Sequence, residues 1–159
     1  MAERWFLKVD GIPGESTDDR HRGEIDVTAW SFGVTHPAAG AVGAGAGAAK
    51  ASFGDLQVEA PLNAATPLLF RACASGQHVR TAVLTGVRVG AGQPDFVTYS
   101  LEDVTVSSVG HGDGADGVPT DRVALRYGTV RISYVPQRPD GSPGATVAAG
   151  WDVIANRPL

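Results

Sequence analysis

The chain has 159 residues, a formal net charge of −4, 43% hydrophobic residues and 19% charged residues. That is the size and balance of one folded domain, not of a disordered chain. A mildly acidic sequence with no run of Lys and Arg excludes nucleic acid as an expected partner, and 21 glycines without a G-X-Y period exclude collagen.

Trp5 to Val9 is a short apolar run closed by two turn pairs, Asp10-Gly11 and Pro13-Gly14. It reads as a first strand, and the polar residues 15–22 read as a surface loop. Glu24 to Val34 is rich in β-branched and aromatic residues and reads as one long strand. One parity carries Ile25, Val27, Ala29 and Ser31; the other carries Asp26, Thr28, Trp30 and Phe32. Neither face is uniformly polar, as in a strand covered on both sides somewhere along its length. Trp30 and Phe32 belong in a core, which leaves Ser31, with Ala29 beside it, on the opposite face.

Residues 35–50 break the pattern. His36-Pro37 is followed by glycine and alanine almost without interruption up to Lys50, a composition that reads as a long flexible loop. Strand signal resumes from Ala51 to Glu59. Phe53 and the pair Leu56 and Val58 sit on opposite parities, so a bulge is expected near Gly54-Asp55. Thr66 as N-cap and Pro67 at the first helical position open a short helix that Gly76 stops. Its docked side should include Leu68, Leu69, Ala72 and Cys73. Further strands are expected over Val79–Val89 (alternating around Val83, Thr85, Val87 and Val89), Phe96–Leu101, Val104–Val109 and Arg122–Val135. The tail from Val147 to Ile154 reads as one more edge strand, and residues 110–119 as a Gly/Asp-rich loop. Many strands with a single short helix define a mainly β fold, a barrel or a sandwich.

Motifs for chemistry are missing. A phosphate cradle needs Gly-Lys-Ser/Thr opening a helix, whereas Lys50 is followed by Ala51 and a strand signal. His21, His36, His78 and His111 show no metal-ligand spacing. The run from His111 to Gly117 lacks the alternating acidic ligands and terminal Glu of a calcium loop. Cys73 is the only cysteine, so it forms no intrachain disulfide, and within a helix it reads as a small buried hydrophobe. There is no Gly-x-Ser-x-Gly elbow, and the neighbours Glu102 and Asp103 should point to opposite faces of a strand. These features predict no enzyme, no cofactor and no metal. The apolar stretch at the N-terminus is too short for a signal core, and no stretch approaches the ~20 residues of a membrane span. The expected protein is made soluble in the cytoplasm, does not insert in membranes and, if it leaves the cell, does so outside the general secretory route.

The segment Phe6-Leu7-Lys8-Val9-Asp10-Gly11-Ile12-Pro13-Gly14-Glu15-Ser16-Thr17-Asp18-Asp19, followed by Glu24-Ile25-Asp26-Val27 and Trp30-Ser31-Phe32-Gly33-Val34, closely resembles the haemolysin-coregulated protein (Hcp) family. These are the tube proteins of type VI secretion systems. Matches continue in order through the Gly-rich loop ending at Lys50, the segment Thr66 to His78, Leu101-Glu102-Asp103-Val104, Tyr134-Val135-Pro136-Gln137 and Gly150-Trp151-Asp152. The chain departs from the usual pattern in its Gly/Ala-heavy loop and in Phe32, where many relatives have tryptophan.

The resemblance implies a single domain over residues 1–159, a compact β-barrel of two sheets with one short helix on its side. It implies hexameric rings that stack into a tube, expelled by a contractile sheath and carrying effector proteins in the lumen or fused to a subunit. Itself, effectors, and the spike and sheath proteins are the implied partners. Ala29 and Ser31 are the candidates for the lumen, and Thr35, His36, Val42 and Lys50 for contacts between rings. Two alternatives stay open at this point: a ring that shelters effectors without building a tube, and a secreted hydrolase on a β scaffold.

Overall fold

The computed structural model describes residues 3–37, 50–90, 92 and 94–159. Strand β1 (Glu3–Val9) forms where the apolar run predicts it. It ends in a tight turn, with Val9 bridging Ile12 and Gly11 at φ 77°, a conformation that glycine adopts without strain.

The run from Glu24 to Val34 is not one strand. It divides into β2 (Ile25–Val27), β3 (Ala29–Ser31) and β4 (Val34–Thr35). Its partners explain the division. β2 pairs antiparallel with β1, whereas β3 pairs with β6 (Leu56–Pro61). Thr28 is the corner, where its N–H and its hydroxyl both donate to the Glu59 carbonyl. The corner shifts the alternation by one residue: Ile25 and Val27 are buried before it, Trp30 is half-buried after it, and Thr28 and Ala29 are exposed between. The mixed parities of the sequence therefore reflect a change of partner strand. They do not reflect a strand covered on both faces.

The same happens at Gly54-Asp55. In place of a bulge, the chain breaks into β5 (Ser52–Phe53) and β6, and among the described residues β4 and β5 pair only with each other, as a two-stranded arm. The helix α1 spans Thr66–Ser75 and ends at Gly76 in the left-handed conformation, as its sequence predicts. Its start differs. Ala65 holds the N-cap position, with its N–H donating to Asn63 Oδ1, and Pro67 falls one residue later than expected. Thr66 is engaged elsewhere: its hydroxyl accepts from Asn63 N–H and donates to the buried Asp121 carboxylate at 2.5 Å. Leu69 and Ala72 are buried, while Leu68 and Cys73 are only partly covered, against the same core. Cys73 is thus less buried than its sequence setting suggests.

The remaining strands are β7 (His78–Arg88), β8 (Asp95–Asp113), β9 (Pro119–Arg126), β10 (Thr129–Tyr134), β11 (Val147–Asp152) and β12 (Arg157–Pro158). Two strands expected at 96–101 and 104–109 are one long β8, bent at Asp103 with φ 52°. Conversely, the single strand expected over 122–135 is two, β9 and β10. At the break, Gly128 N–H donates to the carbonyls of Glu102 and Asp103. One cause serves both differences. β8 changes partner at its bend, pairing with β10 before it and with β9 after it.

The large sheet runs β12-β11-β10-β8-β7-β1-β2, with β9, β6 and β3 branching from β8. Because β2 and β3 belong to one run, the path β1-β7-β8-β9-β6 curls back on itself as a barrel joined by that run. β10, β11 and β12 continue outward as a wing. The pairing aligns apolar side chains in rows on the core face. One row is Ile25, Leu7, Leu84, Tyr99, Ile132 and Ala149. A second is Val27, Trp5, Gly86, Val97, Tyr134 and Val147. Gly86 lets the Trp5 indole lie across the sheet, since a Cβ there would meet that ring at 2.7 Å. Burial grades along the rows, from 0–1% exposure at Leu84 and Leu7 to 66% at Val147. The core face of β7 is thus the parity of Ala82 and Leu84, not that of Val83. Thr85 and Val87 are buried on the opposite face, where Phe6 lies too.

Candidate cargo-facing and contact surfaces

β3, β6 and β9 form the barrel wall that carries the lumen candidates. Trp30 turns inward and packs against Trp5 and Tyr99, with ring centroids 4.7 and 5.1 Å away, and Phe32 packs on Tyr99 at 5.5 Å. This is the inward side expected for the two aromatics. Alternation then turns Ala29 and Ser31 outward, and both are exposed. In register across the wall, Ser31 aligns with Gln57 and Ala124, and Ala29 with Glu59 and Arg122. A shallow depression of about 370 Å3 follows this surface. Its charged groups face each other, with Arg122 Nε donating to Glu59 Oε1 at 2.9 Å. The surface is therefore small-residued, polar and internally charge-balanced. The sequence singled out Ala29 and Ser31 but not Gln57, Glu59, Arg122 and Ala124. Their membership follows from strand register, which parity within one strand does not reveal.

The ring-contact candidates lie around the β4–β5 arm. Thr35 pairs with Ser52 in the arm. His36 and Lys50 follow and precede it as exposed residues, and His36 Nδ1 donates to the Pro37 carbonyl. Val42 lies outside the described residues. At the base of the arm, His36, Phe53, Trp151 and Asn156 surround a pocket of about 380 Å3, and the buried indole N–H of Trp151 has no hydrogen-bond partner among the described residues. Tyr127 fastens the break before β6 by donating to the Gly54 carbonyl at 2.8 Å. Burial, reinforced by the Asp55 carboxylate, pushes its hydroxyl up to about 12.

The wing is a surface that sequence reasoning did not single out. Ile132, Tyr134, Val147 and Ala149 continue the core rows beyond the barrel, where Phe96 and Arg88 flank the Tyr134 ring but leave it 42% exposed, and Val147 is 66% exposed. The alternate positions, Thr129, Arg131 and Ser133, point to the other face. The signal was present as strict alternation over 129–134, but alternation alone does not tell a covered face from an uncovered one. Among the described residues, no group of His, Cys, Asp and Glu is gathered for metal binding, and no helix is long and apolar enough to cross a membrane.

Among the described residues the fold is a curled, mainly β barrel with one docked helix, a polar wall and a partly covered wing. The family model described as "Type VI secretion system effector, Hcp" matches residues 6–134. The protein hcp1 of Pseudomonas aeruginosa is 37% identical over 159 residues, covering 98% of each chain. Among solved structures, Hcp1 from Salmonella typhimurium matches all of both chains at 32% identity with a TM-score of 0.82. A structure described as a type six secretion system protein matches 99% of this chain and all of its own at 29% identity, with a TM-score of 0.89. The chain belongs to the Hcp family of type VI secretion tube proteins.

Proposed function

We propose that this chain is the repeating subunit of a type VI inner tube: copies close into a hexameric ring, rings stack, and the tube leaves the bacterial cytoplasm through the secretion machine. Its role is structural. The observation that carries this reading is the contrast between the two surfaces. The wall of β3, β6 and β9 is polar and small-residued, which suits a lumen that must neither aggregate nor clamp. The wing carries core-like side chains, which suit contact with a neighbouring subunit. In this reading Ala29 and Ser31 line the lumen and meet effector proteins. Thr35, His36, Val42 and Lys50 belong to the segment that meets the next ring, and the spike and sheath proteins meet the tube's end and outside.

Light scattering and negative-stain imaging of the purified chain test it. The expected result is a hexamer with a central hole. A monomer at every concentration overturns the reading. Rings that never stack under crowding, while retaining a co-expressed effector, favour an effector-sheltering ring without a tube.

A further inference from the structure

His21 is an unusual residue for a surface loop. It is 6% exposed, and its imidazole lies flat on the Phe6 ring, with centroids 4.7 Å apart and planes 8° from parallel. Both ring nitrogens meet carboxylates: Nδ1 stands 3.1 Å from both oxygens of Glu24, and Nε2 stands 2.9 Å from Asp95 Oδ1. Ionised carboxylates only accept hydrogen bonds, and a neutral imidazole carries a single N–H. In the neutral form, one nitrogen would therefore turn its lone pair toward carboxylate oxygen. Only the imidazolium supplies a donor to each side.

We propose that His21 is held as an imidazolium and acts as a pH-released bolt, fastening the loop of residues 14–24 to the start of β8 over the buried Phe6.

The surroundings fit a buried cation. The Phe6 ring offers its face to positive charge, and the Arg4 guanidinium also lies over it at 4.9 Å. Arg4 is engaged by Asp18 at 3.2 Å and Asp26 at 3.8 Å, so its charge is answered nearby. Asp18 also accepts the backbone N–H groups of Arg20 and His21, which fixes the turn that aims the ring. Arg20 lies 4.0 Å from Asp95 and competes only weakly for it. Burial by itself pulls the imidazole down. The hydrogen bonds and charges of Asp95 and Glu24 outweigh it, and the group titrates above its ordinary value of 6.5. The sign follows by linkage: a raised folded value means that the bolt is fully engaged below pH ~6.5 and is lost as pH rises through the folded value. Releasing it leaves Glu24 and Asp95 facing one neutral ring.

Nitrogen-detected NMR of the histidines in the full chain is the test. At pH 6 both nitrogens of His21 should report as protonated, with a midpoint above 6.5, and Asp95→Asn should lower that midpoint. A single protonated nitrogen at pH 6, a midpoint at or below 6.5, or a midpoint unmoved in Asp95→Asn would overturn the proposal. Hydrogen exchange supplies the second arm. Gly14, Ser16 and Gly23 N–H groups bond within this loop. Their protection, corrected for intrinsic rates, should fall across the His21 midpoint while that of Leu84 in the core holds. In His21→Gln the loop protection should be low and flat with pH. Loop protection that stays constant across the midpoint in the wild-type chain would show that the charge does not fasten the loop.

Discussion

On the wall of β3, β6 and β9, the side chains that point away from the core include Ala29, Ser31, Gln57 and Arg122. On the wing, the side chains that share the core's face include Ile132, Tyr134, Val147 and Ala149. Both surfaces are products of the same two-residue alternation. They differ in what stands opposite the apolar parity. Along β3, β6 and β9 the curl of the sheet brings the other side of the barrel over Val58, Val123 and Leu125, and the outward parity is left to polar residues. Along β10 and β11 the apolar parity starts covered, with Val130 buried and Ile132 and Trp151 packed on the core, and runs out towards solvent at Tyr134 and Val147. A polar face is complete in an isolated chain; an apolar face of this kind is complete only when something covers it.

The strongest way to break the comparison is to cut along one row. Leu84 is 0% exposed and aligned with Tyr99 and Ile132. Leu84→Ala should destabilise the isolated chain by about 2–5 kcal/mol, the usual range for a well-packed buried leucine. Ile132→Ala, farther out on the same row, should cost clearly less in urea unfolding at concentrations where subunits are separate. Equal losses would mean that the wing is as well covered as the barrel, and the contrast would fall.

Next comes assembly without folding. Val147 is 66% exposed. Val147→Asp should leave unfolding of the isolated chain within about 0.5 kcal/mol, as for surface changes generally. If subunits meet through the wing, it should shift sedimentation from ring to monomer, because the interface would then bury an unpaired charge. A ring that survives places the contact elsewhere. Smaller still in structural terms is Ser31→Gln, on the opposite surface. Fold and ring should persist while retention of a co-expressed effector drops. A variant that fails to assemble would make Ser31 an interface residue, not a lumen residue.

These surfaces were not equally legible. The inward turn of Trp30 and Phe32, and hence the exposure of Ala29 and Ser31, could be read from parity within a single strand. So could the Gly76 stop of α1. The breaks at Thr28, Gly54-Asp55 and Gly128 could not be placed, because each is a change of partner strand, and partners are not local information. In retrospect the parity slip between Val27 and Trp30 marked the first of them. The start of α1 was misjudged because the Thr66 hydroxyl is committed to Asp121, 55 residues away in sequence. The wing was hidden for a different reason: alternation shows which side chains share a face, and only the three-dimensional path shows whether that face is roofed.

The smallest expected effect sharpens the account of the polar wall. Glu59 and Arg122 pair across β6 and β9 at 2.9 Å, with side chains 41% and 53% exposed. An ion pair this open contributes about 0–1 kcal/mol, and less as salt rises. Glu59→Gln keeps an acceptor for Arg122 and removes one negative charge. Thermal unfolding should therefore shift by no more than that range at low salt, and by nothing measurable in ~1 M salt, where screening extends to about 3 Å. If the wall is a passive cargo surface, the change should appear instead in effector retention, through the Arg122 charge left unanswered on every subunit. A loss well beyond 1 kcal/mol that persists in high salt would mean the opposite. The pair would then be a brace between β6 and β9, and the polarity of this wall would serve the barrel before it serves any cargo.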